Sequence, residues 1–155
     1  MEDKINQLST FTINDKLYGI DVMRVQEITK PLMITNVPLA PKYVHGLINL
    51  RGQISTAISL RDLFQIKTPL PNETMNVVCK IGDILISFIV DTIGEVIEVD
   101  SSQFEEPLET IPLEVRTFIK AIYKTESKLL SILDVDQIMD FFVKTSGHSN
   151  VKKMV

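Results

Sequence analysis

The chain has 155 residues, 45% apolar and 23% charged, with a net charge of −4 at pH 7, the size of one ordinary domain or two small halves. Twenty Ile and 14 Val stand against 3 Ala, a β-branched surplus that suits strands and excludes a helical bundle. With 16 Lys and Arg (only 4 Arg) against 20 Asp and Glu, the chain lacks the cations that would hold phosphates or anionic lipid, which sets aside nucleic acid and the membrane surface as partners.

In chain order, residues 11–13 and 17–20 read as a hairpin turning at Asn14-Asp15-Lys16. Asp21 can cap a turn through 22–25. A second hairpin spans 44–50 and 53–60 around Arg51-Gly52, where Gly52 supplies a positive φ, and it runs into a helical turn at 60–64. Pro69, Pro71 and Asn72 interrupt the pattern, so a boundary between halves is expected in 67–73. The third hairpin, 77–81 and 84–90, flanks Gly82-Asp83. Asp91 resembles Asp21 and reads as the cap of a turn at Thr92-Ile93. A fourth pair, 119–123 and 128–133, precedes a helix over 134–142, and a polar tail occupies 146–155.

These pieces repeat. Ile20-Asp21 returns as Val90-Asp91 and the 58–63 segment returns as 133–138, at offsets of 70 and 75 residues. A mainly β fold of two small barrels follows, with approximate subdomains 15–70 and 71–145, and the N-terminal strand open to exchange between them. Barrels of that size bury little surface alone and need a shared interface.

Little here suits catalysis or metal binding. Cys79 lies among Val77, Val78 and Ile81 and reads as a buried, inert thiol; with no partner it forms no internal disulfide, which suits a reducing compartment. His45 reads as a packing residue and His148 as a solvated one, and two histidines without a cysteine pair make no zinc site. Glu105 and Glu106 are adjacent and point apart if extended, so they read as a solvated acidic loop. No phosphate-binding glycine motif is present. The longest dense apolar run, 84–90, is too short to span a bilayer, and no basic-then-apolar leader opens the chain, so an unexported cytoplasmic protein is expected. No catalytic residue, metal or cofactor is assigned.

The segment Gly46-Leu47-Ile48-Asn49-Leu50-Arg51-Gly52 stands out because it sets a rare arginine in an apolar hairpin. Arg51 either reaches a carboxylate within the fold, with Glu27 available if 25–28 is extended, or presents its five-donor fork at a surface.

With Tyr18-Gly19-Ile20-Asp21, Val25-Gln26-Glu27-Ile28, the 38–41 prolines, this 46–52 segment, Leu60-Arg61, Ile89-Val90-Asp91 and the 130–134 strand in order, the chain resembles the CheW family of chemotaxis coupling proteins over about 11–142. The resemblance implies two five-stranded SH3-like barrels and a non-enzymatic adaptor. Such an adaptor joins chemoreceptor tips to the regulatory domain of a CheA-type histidine kinase, alternating with it or with other CheW-like proteins in rings of membrane-associated arrays. Carried over by position, it implies receptor and array coupling for Val25, Gly46 and Arg51, and kinase-domain contact for Val22, Glu27, His45, Phe104 and Glu105. Many relatives carry a basic residue where this chain has His45 or Glu105, which changes the charge pairing open to it. Two alternatives stand beside this reading: an array scaffold that does not support kinase activation, and, from another class, a small-molecule-binding or hydrolytic barrel.

Overall fold

A computed structural model describes residues 4–146. Ten strands form two five-stranded sheets: β1 (Gln7–Ile13), β2 (Lys16–Asp21), β3 (Val25–Thr29), β4 (Val44–Leu50), β5 (Gln53–Ser59), β6 (Met75–Ile81), β7 (Ile84–Val90), β8 (Thr92–Glu98), β9 (Ile119–Lys124) and β10 (Leu129–Leu133). The helices are α1 (Leu60–Leu63), α2 (Leu113–Arg116) and α3 (Val135–Ser146), with short 3-10 turns at Val22–Arg24 and Ser101–Gln103.

All four expected hairpins form, the first three turned at positive φ and the fourth closed by Thr125 and Lys128, which exchange backbone and side-chain hydrogen bonds. Asn14 and Asp15 sit at φ 52° and 65°, Gly52 at 90° and Gly82 at 61°, the left-handed geometry that lets tight hairpins follow the strand twist. Arg51 is the exception in kind. It occupies the same region at φ 50° although an arginine gains nothing there, and the Asn49 side chain steadies the turn by accepting from the Gly52 amide at 2.8 Å.

The strand orders are β8-β1-β2-β10-β9 and β3-β6-β7-β5-β4. Exchanging each strand for the one five labels away, β1 for β6 through β5 for β10, converts one order into the other, so the duplication expected from the sequence is real in three dimensions. The expected boundary is not. Each sheet takes its opening hairpin from one repeat and its last three strands from the other, with parallel pairings β2 to β10 and β5 to β7 as the seams. Segment 67–73 therefore runs between two strands of the same sheet, and cutting the chain there would divide both sheets. Exchange reaches further than the N-terminal strand, because the whole β1–β2 hairpin sits in the sheet built mostly by the second repeat.

Both sheets curl until their edges are linked. Thr35, beyond β3, exchanges two backbone hydrogen bonds with Leu47 on β4 (2.9 and 2.8 Å), and Glu105, beyond β8, does the same with Ile122 on β9 (2.9 and 2.8 Å). These linkages correspond at the same offsets, 70 and 75, that the sequence repeat shows.

Packing follows this arrangement. Leu8, Leu130 and Ile132 fill one barrel, while Ile48, Ala57 and Val78 fill the other. A larger cluster containing Phe11, Tyr18, Ile58, Phe88, Phe118 and Phe142 draws on both sheets. The seam is thus the main core, which accounts for the Ile and Val surplus.

Two local expectations need correction. Asp91 caps no turn, since β-branched Thr92 opens a strand directly and the Asp91 carboxylate is taken by Arg61 (2.5 Å) and by the Asn14 amide (2.8 Å). The helix expected over 134–142 continues to Ser146, which is buried, so the tail does not begin there; His148 and the rest of the tail lie outside the described residues.

Candidate functional site

Arg51 and Glu27 meet. The Arg51 Nη2 donates to both Glu27 carboxylate oxygens, at 2.7 and 2.9 Å. Because β3 and β4 are opposite edges of their sheet, this pair ties the β4–β5 turn across the barrel mouth. It leaves the arginine 73% exposed while Glu27 is 22% exposed. Both alternatives left open for Arg51 therefore hold together: the carboxylate orients the guanidinium, and the guanidinium still faces outward.

The neighbours are set by the same strands. Val25 opens β3 and packs its side chain on the main core, and Val22, half-buried, lies in the turn that carries the chain from one sheet to the other. The Asp21 side chain caps that turn by accepting from the Met23 amide at 3.1 Å, as the sequence indicates. Gly46 adopts φ +143°, and a β-carbon there would lie 2.2 Å from the Thr35 carbonyl oxygen. The bare Cα is what permits the Thr35–Leu47 linkage. His45, beside it on β4, bonds through Nε2 to Asp62 Oδ2 at 2.7 Å, so it is a partnered residue.

Phe104 and Glu105 belong to the other sheet. Asp100 accepts from the Ser102 hydroxyl (2.8 Å) and amide (3.0 Å), bonds that hold its carboxyl below the usual carboxylate range and fix the turn leading to Phe104. Phe104 meets Tyr123 edge to face with ring centroids 5.9 Å apart. The Glu105 backbone closes the barrel on Ile122, and its exposed side chain pairs with Lys124 at 3.4 Å. The candidate residues thus form two groups, Val22 to Arg51 on one barrel and Phe104 with Glu105 on the other.

Sequence reasoning missed Asp62, the partner of His45, and the exposed apolar residues in the same 22–51 stretch of chain. Met23 is 85% exposed, Met33 89% and Leu39 fully exposed. Methionine adapts to irregular partner surfaces, and a Met inside the turn that Asp21 caps was the available signal.

The site has few ingredients for chemistry. Cys79 is fully buried, and burial pushes its thiol up to about 12, so at neutral pH it is protonated and weakly nucleophilic. Among the described residues no group of three or more His, Cys, Asp or Glu is placed to hold a metal ion. None of their helices is long and apolar enough to cross a membrane.

Two curled sheets with apolar residues and one oriented arginine on the outside define a docking protein of the double-barrel type. The CheW-like domain model matches residues 7–142, and the chain belongs to that family of chemotaxis scaffolds. It is 33% identical over 146 residues to the chemotaxis protein CheW of Bacillus subtilis (strain 168), covering 94% of this chain and 92% of that protein. It is 32% identical to the chemotaxis protein CheW of Helicobacter pylori, covering 88% and 83% respectively. A crystal structure of the scaffolding protein TtCheW from Thermoanaerobacter tengcongensis superposes with a TM-score of 0.76 at 30% identity, over 86% of this chain and 87% of that one.

Proposed function

We propose that this scaffold couples the cytoplasmic tips of chemoreceptors to the regulatory domain of a CheA-type histidine kinase, in rings recruited to membrane-associated arrays. On this reading Val25, Gly46 and Arg51 serve receptor and array coupling. Val22, Glu27 and His45 serve one kinase-domain contact, and Phe104 with Glu105 serve a second on the other barrel. Placement on two barrels supports the division, since a ring member needs two separate contacts.

The observation that carries the reading is Arg51 itself. It accepts an unfavourable positive φ, it is held by Glu27, and it remains exposed. Backbone strain of this kind costs about 1–3 kcal/mol and is retained where the side chain's placement matters. Exposed ion pairs contribute only about 0–1 kcal/mol, so stability alone does not account for it.

Arg51→Asn tests this. Asparagine tolerates left-handed geometry, so the variant keeps the fold at nearly unchanged stability while removing the fork. Receptor-dependent kinase activation in a reconstituted receptor, kinase and adaptor assay is expected to fall at least tenfold; wild-type activation would remove Arg51 from the site. The exchange Glu27→Arg with Arg51→Glu separates the roles, because a purely internal tie would be restored and a presented arginine would not. A chain that enters arrays but never activates the kinase would be the non-activating scaffold.

A further inference from the structure

The two halves are not equally finished. α1 and α3 occupy corresponding places after β5 and β10, yet α1 is four residues long and α3 is twelve. α1 stops because Gln65 turns to φ 58°, the Ile66 amide caps back on the Arg61 carbonyl at 2.9 Å, and Pro69 and Pro71 follow. α3 continues onto the other barrel, where it meets β6. Its Phe142 is fully buried in the cluster that Ala40, Leu47 and Ile84 line, Phe141 meets Tyr43 with ring centroids 5.6 Å apart, and the Tyr43 and Thr145 hydroxyls are hydrogen-bonded.

The place that a longer α1 would cover is a groove of about 710 Å³, lined by Tyr18, Phe64, Ile66, Val115, Ile122 and Leu129 among others. Val115 and Ile122 stand at the 75-residue offset from Ala40 and Leu47, which pack on the same apolar cluster as Phe142 of α3. Leu108 and Leu129, which also line it, are 43% and 47% exposed. The repeat therefore shows what such a groove accommodates: an amphipathic helix.

We propose that this groove seats an amphipathic helix of a partner protein, patterned like α3, with large apolar residues at positions corresponding to Val135, Ile138 and Phe142 and about three turns long. A second copy of this chain is the poorer occupant, because its α3 would first have to leave a seat in which Phe142 is fully buried. Lys16 and Lys128 share the lining with Asp15 and Glu114, so the complementary helix carries charges of both signs on its flanks, as α3 does with Asp140 and Lys144. The inference is independent of the coupling role, since none of Val22, Val25, Glu27, His45, Gly46 and Arg51 lines the groove.

The test titrates the ¹⁵N-labelled full chain with a peptide of residues 135–146 closed by an Asp140–Lys144 lactam, using a sequence-scrambled lactam peptide as control. Asp140 and Lys144 are an exposed i,i+4 pair on α3, 2.9 Å apart, so the bridge fixes the helix without blocking its apolar face. Amide shifts are expected at Leu17, Ile66, Val115 and Leu129, with Leu129→Glu and, separately, Leu108→Glu weakening binding at least tenfold while the remaining spectrum stays native. Arg51→Asn should leave peptide affinity unchanged, which keeps this result distinct from the coupling assay. No shifts up to about 1 mM peptide, shifts confined to Tyr43 and β6 where native α3 sits, or equal binding by the scrambled peptide would each overturn the proposal.

Discussion

Replacing Gly46 by alanine tests how the first barrel is closed. The added β-carbon would lie 2.2 Å from the Thr35 carbonyl oxygen, 2.8 Å from the Thr35 carbonyl carbon and 2.7 Å from the Ile34 Cγ2. Backbone contacts of that kind are not relieved by a rotamer change, so segment 34–35 must move away from β4. Its two hydrogen bonds to Leu47 then break, each contributing about 0.5–1.5 kcal/mol. The φ of +143° adds strain of order 1–3 kcal/mol once a β-carbon is present. Loss of glycine's freedom in the unfolded chain returns about 0.4–1 kcal/mol. The balance is a destabilisation of about 3 kcal/mol, read as a lowered urea midpoint at constant slope. Gly82→Ala is the control, because it shares a positive φ of 61° but meets nothing within 4 Å; it should cost about 1 kcal/mol. Equal effects of the two substitutions would refute the closure argument. A Gly46→Ala protein of native stability that fails only in kinase coupling would place Gly46 in direct contact with the partner.

Other expectations follow from the seam. Arg61 is buried and lies 2.5 Å from the mostly covered Asp91, so Arg61→Met, which leaves that carboxylate only the Asn14 amide, should cost about 3 kcal/mol in denaturant unfolding, while the double change with Asp91→Asn costs less. Burial raises both the Cys79 thiol and the Tyr18 hydroxyl to about 12. Above pH 9 the unfolded chain therefore loses protons that the native state keeps, and stability should fall between about pH 9 and 12; thermal melts across that range check this, with Cys79→Ala reducing the fall. For the same reason Cys79 should resist a thiol reagent at pH 8 in native protein and react fully in denaturant, and rapid native-state labelling would contradict its burial. Fragments 1–70 and 71–155, expressed apart, should each lack native circular dichroism, since each would hold only part of either sheet.

The parts legible in the sequence were those decided locally. Asn14-Asp15, Gly52 and Gly82-Asp83 announce turns through backbone freedom, and alternation announces the strands on either side. Asp21 and Asp91 show where local reading stops. Both follow an apolar strand end, yet one caps a turn and the other neutralises Arg61, a choice made by a residue 30 positions away. Strand partners were likewise out of reach, because hydrophobic alternation specifies which face is buried and not which strand lies alongside. Pro69 and Pro71 broke the pattern as a domain boundary would, although the segment they occupy merely crosses between two strands of one sheet. At the candidate site, 25–28 was readable as extended, which placed Glu27 within reach of Arg51. Asp62 was hidden behind Arg61 in a short helical turn, and nothing in the pattern linked it to His45.

The exchange of hairpins also bears on the proposed coupling, which would load both barrels. A single barrel of this size would deform under load on its edge. Here each barrel shares the hairpin of the other repeat, and the largest apolar cluster spans the seam, so strain applied near Arg51 meets the combined core rather than one weak half. The same duplication supplies two equivalent helix seats and fills only one of them. A scaffold needs rigidity in the frame and vacancy at the rim, and the difference in length between α1 and α3 provides both from one repeated pattern.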